Sequence, residues 1–254
     1  MLNTLNKIIT EFLPKVPYGI TTVKDIEKPA CTRLEKDGLN TAIMFAFPYK
    51  VQEKAPKNLS RYSAVADYHK IILPKLNLLC QKLEDAFLQH RFKAFADYSP
   101  ILEVQAASKA GLGVIGKNGL LITKEYGSFV FLGEILCDLE INTADLTKNC
   151  NNCGACLKAC PVALNKEACI SALTQKKGEL TPEEVEKVKK ATVFGCDICQ
   201  NACPLNNGAK ITFVDEFLNS YRNEYTPNED DTNRPYAWRP RGVINRNFEI
   251  FEEK

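Results

Sequence analysis

The cysteines are the feature that most constrains how this chain can fold. The sequence contains 11 cysteines in 254 residues, and eight of them fall between residues 150 and 203. Three others are scattered singly, namely Cys31, Cys80 and Cys137. Such grouping is typical of metal ligands, so the stretch must fold in a way that brings thiols from its two ends together.

The spacing of the grouped cysteines predicts two 4Fe-4S clusters. The first four precede a proline in a C-x2-C-x2-C-x3-C-P run, in which three thiolates bind one cubane and the fourth binds the other. The last three form a C-x2-C-x3-C-P group, and the single cysteine between the groups completes the set. We assign to the first cluster Cys150, Cys153, Cys156 and Cys203, and to the second Cys160, Cys169, Cys196 and Cys199.

Two alternatives would use the same thiols differently. Structural zinc sites favour paired C-x2-C knuckles over this run, and a disulfide framework requires an oxidising compartment. The N-terminal residues predict a short amphipathic helix without the long apolar core of a secretory signal, and no apolar run reaches the roughly 18 residues of a membrane span. The sequence therefore predicts a cytoplasmic protein with reduced thiols and no membrane partner.

The residues that precede the cysteines predict a domain of mixed helices and strands. Strands are indicated at residues 40–49 and 129–137, where apolar residues are dense. Amphipathic helices are indicated at residues 67–90 and 99–110, with Pro74 near the first turn of the longer one. Strands that alternate with helices favour an α/β or α+β fold class.

The chain is thus predicted to have three parts. They are the α/β or α+β domain over residues 1–145, a two-cluster ferredoxin-like module over residues 146–208, and a tail over residues 209–254. Inside the module, the sequence from Thr181 to Glu184 is a capping box that opens a helix between the cysteine groups. The tail is polar and rich in turn residues, so we expect a loop-like strap that packs on the body.

Five blocks of the sequence, in matching order and together with the cysteine spacing, resemble the epoxyqueuosine reductases. The blocks are RYSAVADYHK, ADYSPILE, AGLGVIGKNGLLITKEYGSFVFLGEIL, CISALT and FGCDICQNACPLN. The resemblance implies a cobalamin-dependent iron-sulfur enzyme of transfer-RNA modification. It further implies a cobalamin-binding-type N-terminal domain, with electrons passing from the second cluster to cobalt.

The resemblance also implies site residues. Asp97, which follows a predicted strand, matches the family's proposed proton donor, and an acid with that role should have a pKa raised by burial. His69 and Asp67 match the active-site region around the family histidine. Cobalamin contacts are implied for Asp97, Lys117, Asn118, Ser128, Ser171 and Thr174, with a structural turn as the alternative for the glycine-rich block that carries Lys117 and Asn118.

Two departures from the family leave the substrate open. The family has arginine after its Pro-Ile-Leu-Glu sequence, where this chain has Val104, and the helical-repeat domain of full-length members has no counterpart after Pro204. One interpretation is a short epoxyqueuosine reductase that binds a tRNA anticodon stem-loop with its core and the arginines and aromatic residues of its tail. The other is a corrinoid iron-sulfur reductase with a different substrate, or a ferredoxin-type electron-transfer protein.

Composition does not decide between these interpretations. The formal net charge of +2 neither requires nor excludes a nucleic-acid partner. The tail residues that could stack on RNA bases are Arg234, Tyr236, Trp238, Arg239, Arg241 and Arg246, and a packed strap is the alternative for them. We expect a monomer that takes electrons from an external low-potential donor.

Overall fold

The computed structural model describes residues 1–253. It divides into two compact units, and neither unit is one continuous segment. The first unit comprises residues 1–48, 69–124 and 130–151, and the second comprises residues 49–68, 125–129 and the chain from residue 152 onward. This division differs from the linear boundaries at residues 145 and 208, and the assignment of functions to those linear domains stays a prediction.

The first unit is built on a four-stranded sheet in which every neighbouring pair is antiparallel. The strands are β1 (Tyr18–Thr22), β2 (Thr41–Pro48), β3 (Phe92–Phe95) and β6 (Val130–Cys137), in the order β1-β2-β6-β3. All residues of β2 are buried, as expected for the dense apolar run. The predicted mixed fold class is confirmed, and the antiparallel pairing makes this unit α+β.

The unit contains three helices, α1 (Leu2–Phe12), α2 (His69–Ala86) and α3 (Glu103–Lys109), and α1 packs against α2. Helix α2 contacts β3 and β6, and α3 contacts β1, β2 and β6. The approach of α2 requires a glycine, because a Cβ atom at Gly133 would lie 2.7 Å from Ile72 and 2.9 Å from Leu76. Pro74 lies in the second turn of α2, one turn later than predicted, and the helix continues through it.

The glycine-rich segment forms a short hairpin between β4 (Val114–Ile115) and β5 (Leu121–Ile122). Gly119 has a positive φ of 80°, and its N–H donates to the carbonyl oxygen of Gly116 at 2.8 Å. A Cβ atom at Gly113 would lie 2.4 Å from the carbonyl oxygen of Ile122. The left-handed turn therefore accounts for Gly119, and close backbone packing accounts for Gly113.

The second unit is made of short helices joined by loops. They are α4 (Ala155–Ala159), α5 (Ile170–Leu173), α6 (Pro182–Val188), α7 (Ile198–Asn201), α8 (Asp215–Ser220) and α9 (Arg241–Glu252), with a 3-10 turn at Pro204–Asn206. The predicted capping box at α6 is confirmed, because Thr181 Oγ1 accepts from the Glu184 N–H and a Glu184 carboxylate oxygen accepts from the Thr181 N–H. No helix of residues 1–253 has both the length and the apolar character needed to cross a membrane.

The tail differs from the loop-like strap that the sequence predicts, because its end forms the helix α9. This helix packs on α6 and buries Val243, Ile244 and Ile250. Arginines of the tail donate to carbonyl oxygens within the same unit, Arg234 to those of Ala64 and Ser220 and Arg246 to that of Lys176. These bonds support the packed alternative for the tail arginines over RNA contact.

Candidate functional site

Thiols assigned to the second cluster converge in the second unit. All 11 cysteines of the chain are free thiols. Burial raises the pKa of the Cys196 thiol to about 12, and the neighbouring Cys199 and Cys169 add to the rise, so the three lie close together. A buried thiol of this kind stays protonated near neutral pH unless a metal holds it as the thiolate. This donor set fits an iron-sulfur cluster.

Short helices position the other ligand cysteines of this unit. Cys156 lies in α4 and Cys199 in α7, and these two helices are in contact. Cys169 caps the N-terminus of α5, and Cys203 precedes the 3-10 turn that Pro204 opens. No group of three or more His, Cys, Asp or Glu side chains within residues 1–253 is arranged to hold one metal ion. The individual ligand assignments therefore stay predictions.

A buried polar network lies beside Cys196, and the sequence analysis does not anticipate it. Asp197 accepts hydrogen bonds from the Arg61 backbone N–H at 2.7 Å and from Gln200 Nε2 at 3.3 Å. Burial raises the pKa of Asp197 to about 6. Ser128 Oγ donates to Gln200 Oε1 at 2.9 Å and accepts from Asn206 Nδ2 at 2.9 Å. Ser128 is thus a buried structural residue whose hydrogen bonds are made inside the chain.

Ser171 and Thr174 have comparable roles near the predicted second cluster. Thr174 is fully buried, and its hydroxyl donates to the Ser171 carbonyl oxygen at 2.8 Å and accepts from the Gly195 N–H at 2.9 Å. The side chain of Ser171 bonds to the hydroxyl of Tyr62, which lies near Cys169 and Cys196. Cofactor contact by Ser128, Ser171 or Thr174 stays a prediction, and each already has a partner in the protein.

Two of the predicted catalytic residues are neighbours in the first unit. His69 is the first residue of α2 and Asp97 follows β3, and His69 Nε2 lies 3.6 Å from Asp97 Oδ2. The expected burial of Asp97 is wrong, since 69% of its side chain is exposed. The reason is local, because Asp97 sits in the turn after β3 with a left-handed φ of 73°.

Two further acids lie in this region, the half-buried Glu103 and the fully buried Glu134, and neither is among the predicted site residues. Glu103 Oε1 accepts from the Asp97 N–H at 2.9 Å, and Glu134 in β6 accepts from the Ser99 hydroxyl. Burial raises the pKa of Glu103 to about 7, and burial together with the charge of Glu103 raises that of Glu134 well above its ordinary value. Neighbouring carboxyls in such surroundings retain a proton near neutral pH.

A sequence signal for one of these acids existed. Glu134 is the only charged residue of the apolar strand β6, whose other residues are Val130, Phe131, Leu132, Gly133, Ile135, Leu136 and Cys137. A charge in a buried strand requires a partner or a proton, so it marks a candidate functional position. Glu103 has no comparable signal, because its contact with Asp97 depends on the turn between them.

The remaining predicted residues lie elsewhere. Lys117 and Asn118 form the tip of the β4–β5 hairpin, where Lys117 is exposed and Asn118 Oδ1 accepts from the Leu120 N–H at 3.4 Å. Asp67 belongs to the second unit, and its N–H donates to the Asn233 carbonyl oxygen at 3.2 Å. The roles of all three residues stay predictions.

Two family models match parts of the chain. The model described as a 4Fe-4S double cluster binding domain matches residues 149–206, and the model described as epoxyqueuosine reductase QueG, DUF1730, matches residues 33–98. The first match contains all eight grouped cysteines. The prediction of two 4Fe-4S clusters is therefore confirmed.

Individual relatives extend these matches. The epoxyqueuosine reductase of Lactococcus garvieae is 33% identical over 252 residues, covering 88% of this chain and 72% of that protein. The epoxyqueuosine reductase of Aliivibrio fischeri is 40% identical over 167 residues, covering 63% of this chain and 45% of that protein. The chain thus spans less than half of the second relative.

Solved structures agree at the level of the fold. The epoxyqueuosine reductase of Streptococcus thermophilus matches with a TM-score of 0.81 and 26% identity, over 99% of this chain and 80% of that chain. An epoxyqueuosine reductase solved with an epoxyqueuosine-modified tyrosine tRNA stem loop matches with a TM-score of 0.82 and 24% identity, over 98% of this chain and 81% of that chain. The second match concerns the fold alone.

The matched segments define an iron-sulfur reductase with a double-cluster module. The Lactococcus garvieae protein is similar over most of both chains, so this match identifies a particular family within the class. The chain belongs to the epoxyqueuosine reductase family.

Proposed function

We propose that this chain reduces the epoxide of epoxyqueuosine in transfer RNA to the alkene of queuosine, using electrons from its two 4Fe-4S clusters. The observation that carries the proposal is the pairing of Asp97 with His69. These residues come from separate elements and match the family's proton donor and active-site histidine, and their side chains lie within 3.6 Å. Membership of the family supplies the reaction class.

The reaction sets a clear requirement for protons. Conversion of an epoxide to an alkene consumes two electrons and two protons and releases the oxygen as water, so an acid must stand where negative charge develops on that oxygen. Asp97 is exposed, so its carboxyl group can reach a bound substrate. We assign it the delivery of a proton to the developing alkoxide, and we assign His69 the orientation of that carboxyl.

Cobalamin, when bound, would supply a low-valent metal as the source of reducing electrons. Of the predicted contacts, Asp97 and Lys117 are exposed, and these side chains fit a role in holding the cofactor. Asn118 shares the hairpin tip with Lys117. Ser128 and Thr174 fit less well, because their hydroxyl groups are buried in internal hydrogen bonds. Asp67 belongs to the proposed catalytic set, and we assign it no separate step.

The proposed partners follow from the substrate. We propose that the anticodon stem-loop of transfer RNA binds to the chain, that an external low-potential donor reduces the clusters, and that the protein acts as a cytoplasmic monomer. Most arginines of the tail are held by internal bonds. Trp238 is 62% exposed, and the Arg239 guanidinium lies 3.7 Å from the centre of its ring. This pair can stack on an unpaired base.

The test is a turnover assay under anaerobic conditions. The reconstituted protein is supplied with cobalamin, a low-potential reductant and transfer RNA that contains epoxyqueuosine, and the nucleosides are analysed by mass spectrometry. We expect queuosine to form. Uptake of cobalamin without conversion of the nucleoside would indicate a different substrate, and failure to take up cobalamin would favour an electron-transfer protein.

The matched variant is Asp97→Asn. Asparagine adopts the left-handed backbone conformation of this position readily, so the turn should persist while the acid is lost. We expect iron content and cobalamin uptake to be unchanged and turnover to fall by about 100-fold to 10,000-fold. Turnover close to that of the unmodified protein would remove the proposed role of Asp97 as the acid.

A further inference from the structure

The turn that carries Asp97 is tied to the first unit by two carboxyl groups. This turn, residues 96–102, holds Asp97 in a left-handed conformation that non-glycine residues adopt at a cost. Such conformations persist only where surrounding contacts fix them. The contacts that fix this turn should therefore control where the Asp97 carboxyl points.

Glu103 provides the contact to Asp97 itself. Its Oε1 accepts the backbone N–H of Asp97 at 2.9 Å. Glu103 opens helix α3, which is anchored because Ala106 and Ala107 are fully buried against the sheet. The side chain thus links a firmly packed helix to the strained residue, six positions back along the chain. A bond from a carboxylate to a backbone N–H is among the stronger hydrogen bonds of proteins.

Glu134 provides a second contact, in the middle of the turn. It is fully buried, one carboxyl oxygen accepts from the Ser99 hydroxyl, and its Oε2 has no hydrogen-bond partner within residues 1–253. Ser99 is also buried and its Oγ accepts from the Ile101 N–H at 3.2 Å, so this contact shapes the turn from inside. Burial of a charged carboxylate oxygen that receives no hydrogen bond costs free energy. A protonated carboxyl group at the same place carries no charge, so it avoids this cost.

The charges around the two glutamates decide which of them is ionised. Asp97 and His69 act on the pKa of Glu103, and the charge of Glu103 and the hydroxyl group of Ser99 act on that of Glu134. Glu134 is fully buried, whereas Glu103 is half-buried and has His69 nearby. The proton that such a pair retains belongs on Glu134, and the negative charge belongs on Glu103.

We propose that Glu103 is a positioning residue that holds the turn of residues 96–102 in the conformation that presents Asp97 to His69, while Glu134 anchors the same turn as a neutral carboxylic acid. The catalytic consequence rests on the proposed function. The structural consequence does not, because it concerns the backbone of Asp97 alone.

The first test compares Glu103→Gln with Glu103→Ala by hydrogen exchange at the Asp97 amide in the reconstituted full-length protein. Glutamine keeps an oxygen that can accept the Asp97 N–H, and alanine does not. We expect exchange at Asp97 to accelerate about tenfold or more in Glu103→Ala and to stay near the unmodified rate in Glu103→Gln. Unchanged exchange in the alanine variant would overturn the proposal.

Turnover of the same variants separates positioning from proton transfer. We expect Glu103→Ala to lower kcat at least about tenfold with unchanged iron content, and Glu103→Gln to restore most of it. If the glutamine variant protects the Asp97 amide but loses turnover as the alanine variant does, Glu103 acts through its charge or its proton and the proposal is wrong. The exposed Glu140, changed to alanine, is the matched control for both measurements.

Glu134→Gln tests the neutral anchor. The amide resembles the protonated acid in shape and charge, so exchange at Asp97 and turnover should both be retained. A strong loss of either would show that Glu134 must be ionised, contrary to the proposal. If the unmodified protein fails to reduce epoxyqueuosine, the proposed function falls, and the exchange measurements still decide whether Glu103 and Glu134 fix the turn.

Discussion

Two buried polar clusters, one in each unit, differ in how far their hydrogen bonds are satisfied. In the second unit, Asp197, Gln200, Ser128 and Asn206 satisfy one another and the backbone around them. In the first unit, Glu134 is equally buried, yet one of its carboxyl oxygens has no hydrogen-bond partner within residues 1–253, and the charge of Glu103 raises its pKa further. A polar network whose hydrogen bonds are all made keeps its side chains in fixed positions. Buried carboxyl groups without a counter-charge instead retain protons near neutral pH.

This contrast matches the chemistry proposed for each unit. Iron-sulfur clusters need thiolates that are held at fixed positions and change little between redox states. An epoxide reduction needs protons at the reacting centre, so acids whose protonation is finely balanced belong there.

The largest effect is expected from the loss of a cluster ligand. Cys169→Ser should destroy the second cluster and spare the first, because Cys169 converges with Cys196 and Cys199. We expect iron and sulfide contents to fall to about half and turnover to be lost. Iron and sulfide assays with electron paramagnetic resonance would measure this. Cys31→Ser, outside the grouped cysteines, is the control, and two intact clusters in Cys169→Ser would refute the ligand assignment.

The next effect concerns the satisfied network. Asn206→Ala removes an acceptor for the Ser128 N–H and a donor to both Ser128 Oγ and the Gln200 carbonyl oxygen. Because buried groups would be left unpaired, we expect a loss of about 2 to 4 kcal/mol in the free energy of unfolding. Thermal unfolding of the anaerobic protein would measure the change. The adjacent and exposed Asn207, changed to alanine, should change stability little.

A smaller effect, with a defined pH dependence, is expected at Glu134. Its pKa is raised in the folded state, so the folded protein binds more protons than the unfolded chain above the ordinary glutamate range. Stability therefore falls as pH rises above that range toward the raised pKa. Glu134→Gln removes this term, on the order of 1 kcal/mol per pH unit.

Thermal unfolding between pH 5 and pH 8 would measure this dependence. The variant should gain stability relative to the unmodified protein as pH increases, and the two should converge at low pH. Parallel curves for the two proteins would show that Glu134 titrates alike in the folded and unfolded states. The contrast between the units would then lose its electrostatic basis.

The smallest effect on stability is expected at Trp238. Its side chain is 62% exposed, so Trp238→Ala should change the free energy of unfolding by less than about 0.5 kcal/mol. If it stacks on an RNA base, the dissociation constant for an anticodon stem-loop should rise about fivefold or more. Electrophoretic mobility shifts would measure this, with the exposed Leu88 changed to alanine as control. An unchanged dissociation constant would exclude Trp238 from the RNA-binding surface.

Much of the fold was accessible from local patterns. The strands β2 and β6 are predicted to within about one residue at each end, because dense apolar runs report burial directly. The three-to-four-residue periodicity also predicts α2, but the helix ends at Ala86, about four residues before the predicted end at residue 90. Strand β1 and helix α9 were missed. Gly19 and two threonines weaken the apolar signal of β1, and the turn residues before α9 obscured the periodicity of Val243, Ile244, Asn247 and Ile250.

The candidate site was accessible in part. Asp97 and His69 were identified through family resemblance, and the structure places them together. The exposed state of Asp97 and its bond to Glu103 were not accessible, because both depend on a left-handed turn that no residue pattern specifies. The internal bonds of Ser128 and Thr174 were also hidden, since they join residues far apart in the chain.

The number and kind of the clusters can be predicted from the cysteine spacing, because cubane ligation is set over short distances along the chain. The strands and helices with strong periodicity can be predicted in the same way. Which acids are buried, which are paired and which retain a proton depends on the folded arrangement. Those properties arise from the low dielectric and the neighbours that packing creates, and residues such as Glu103 and Glu134 acquire them only when α3 and β6 come together.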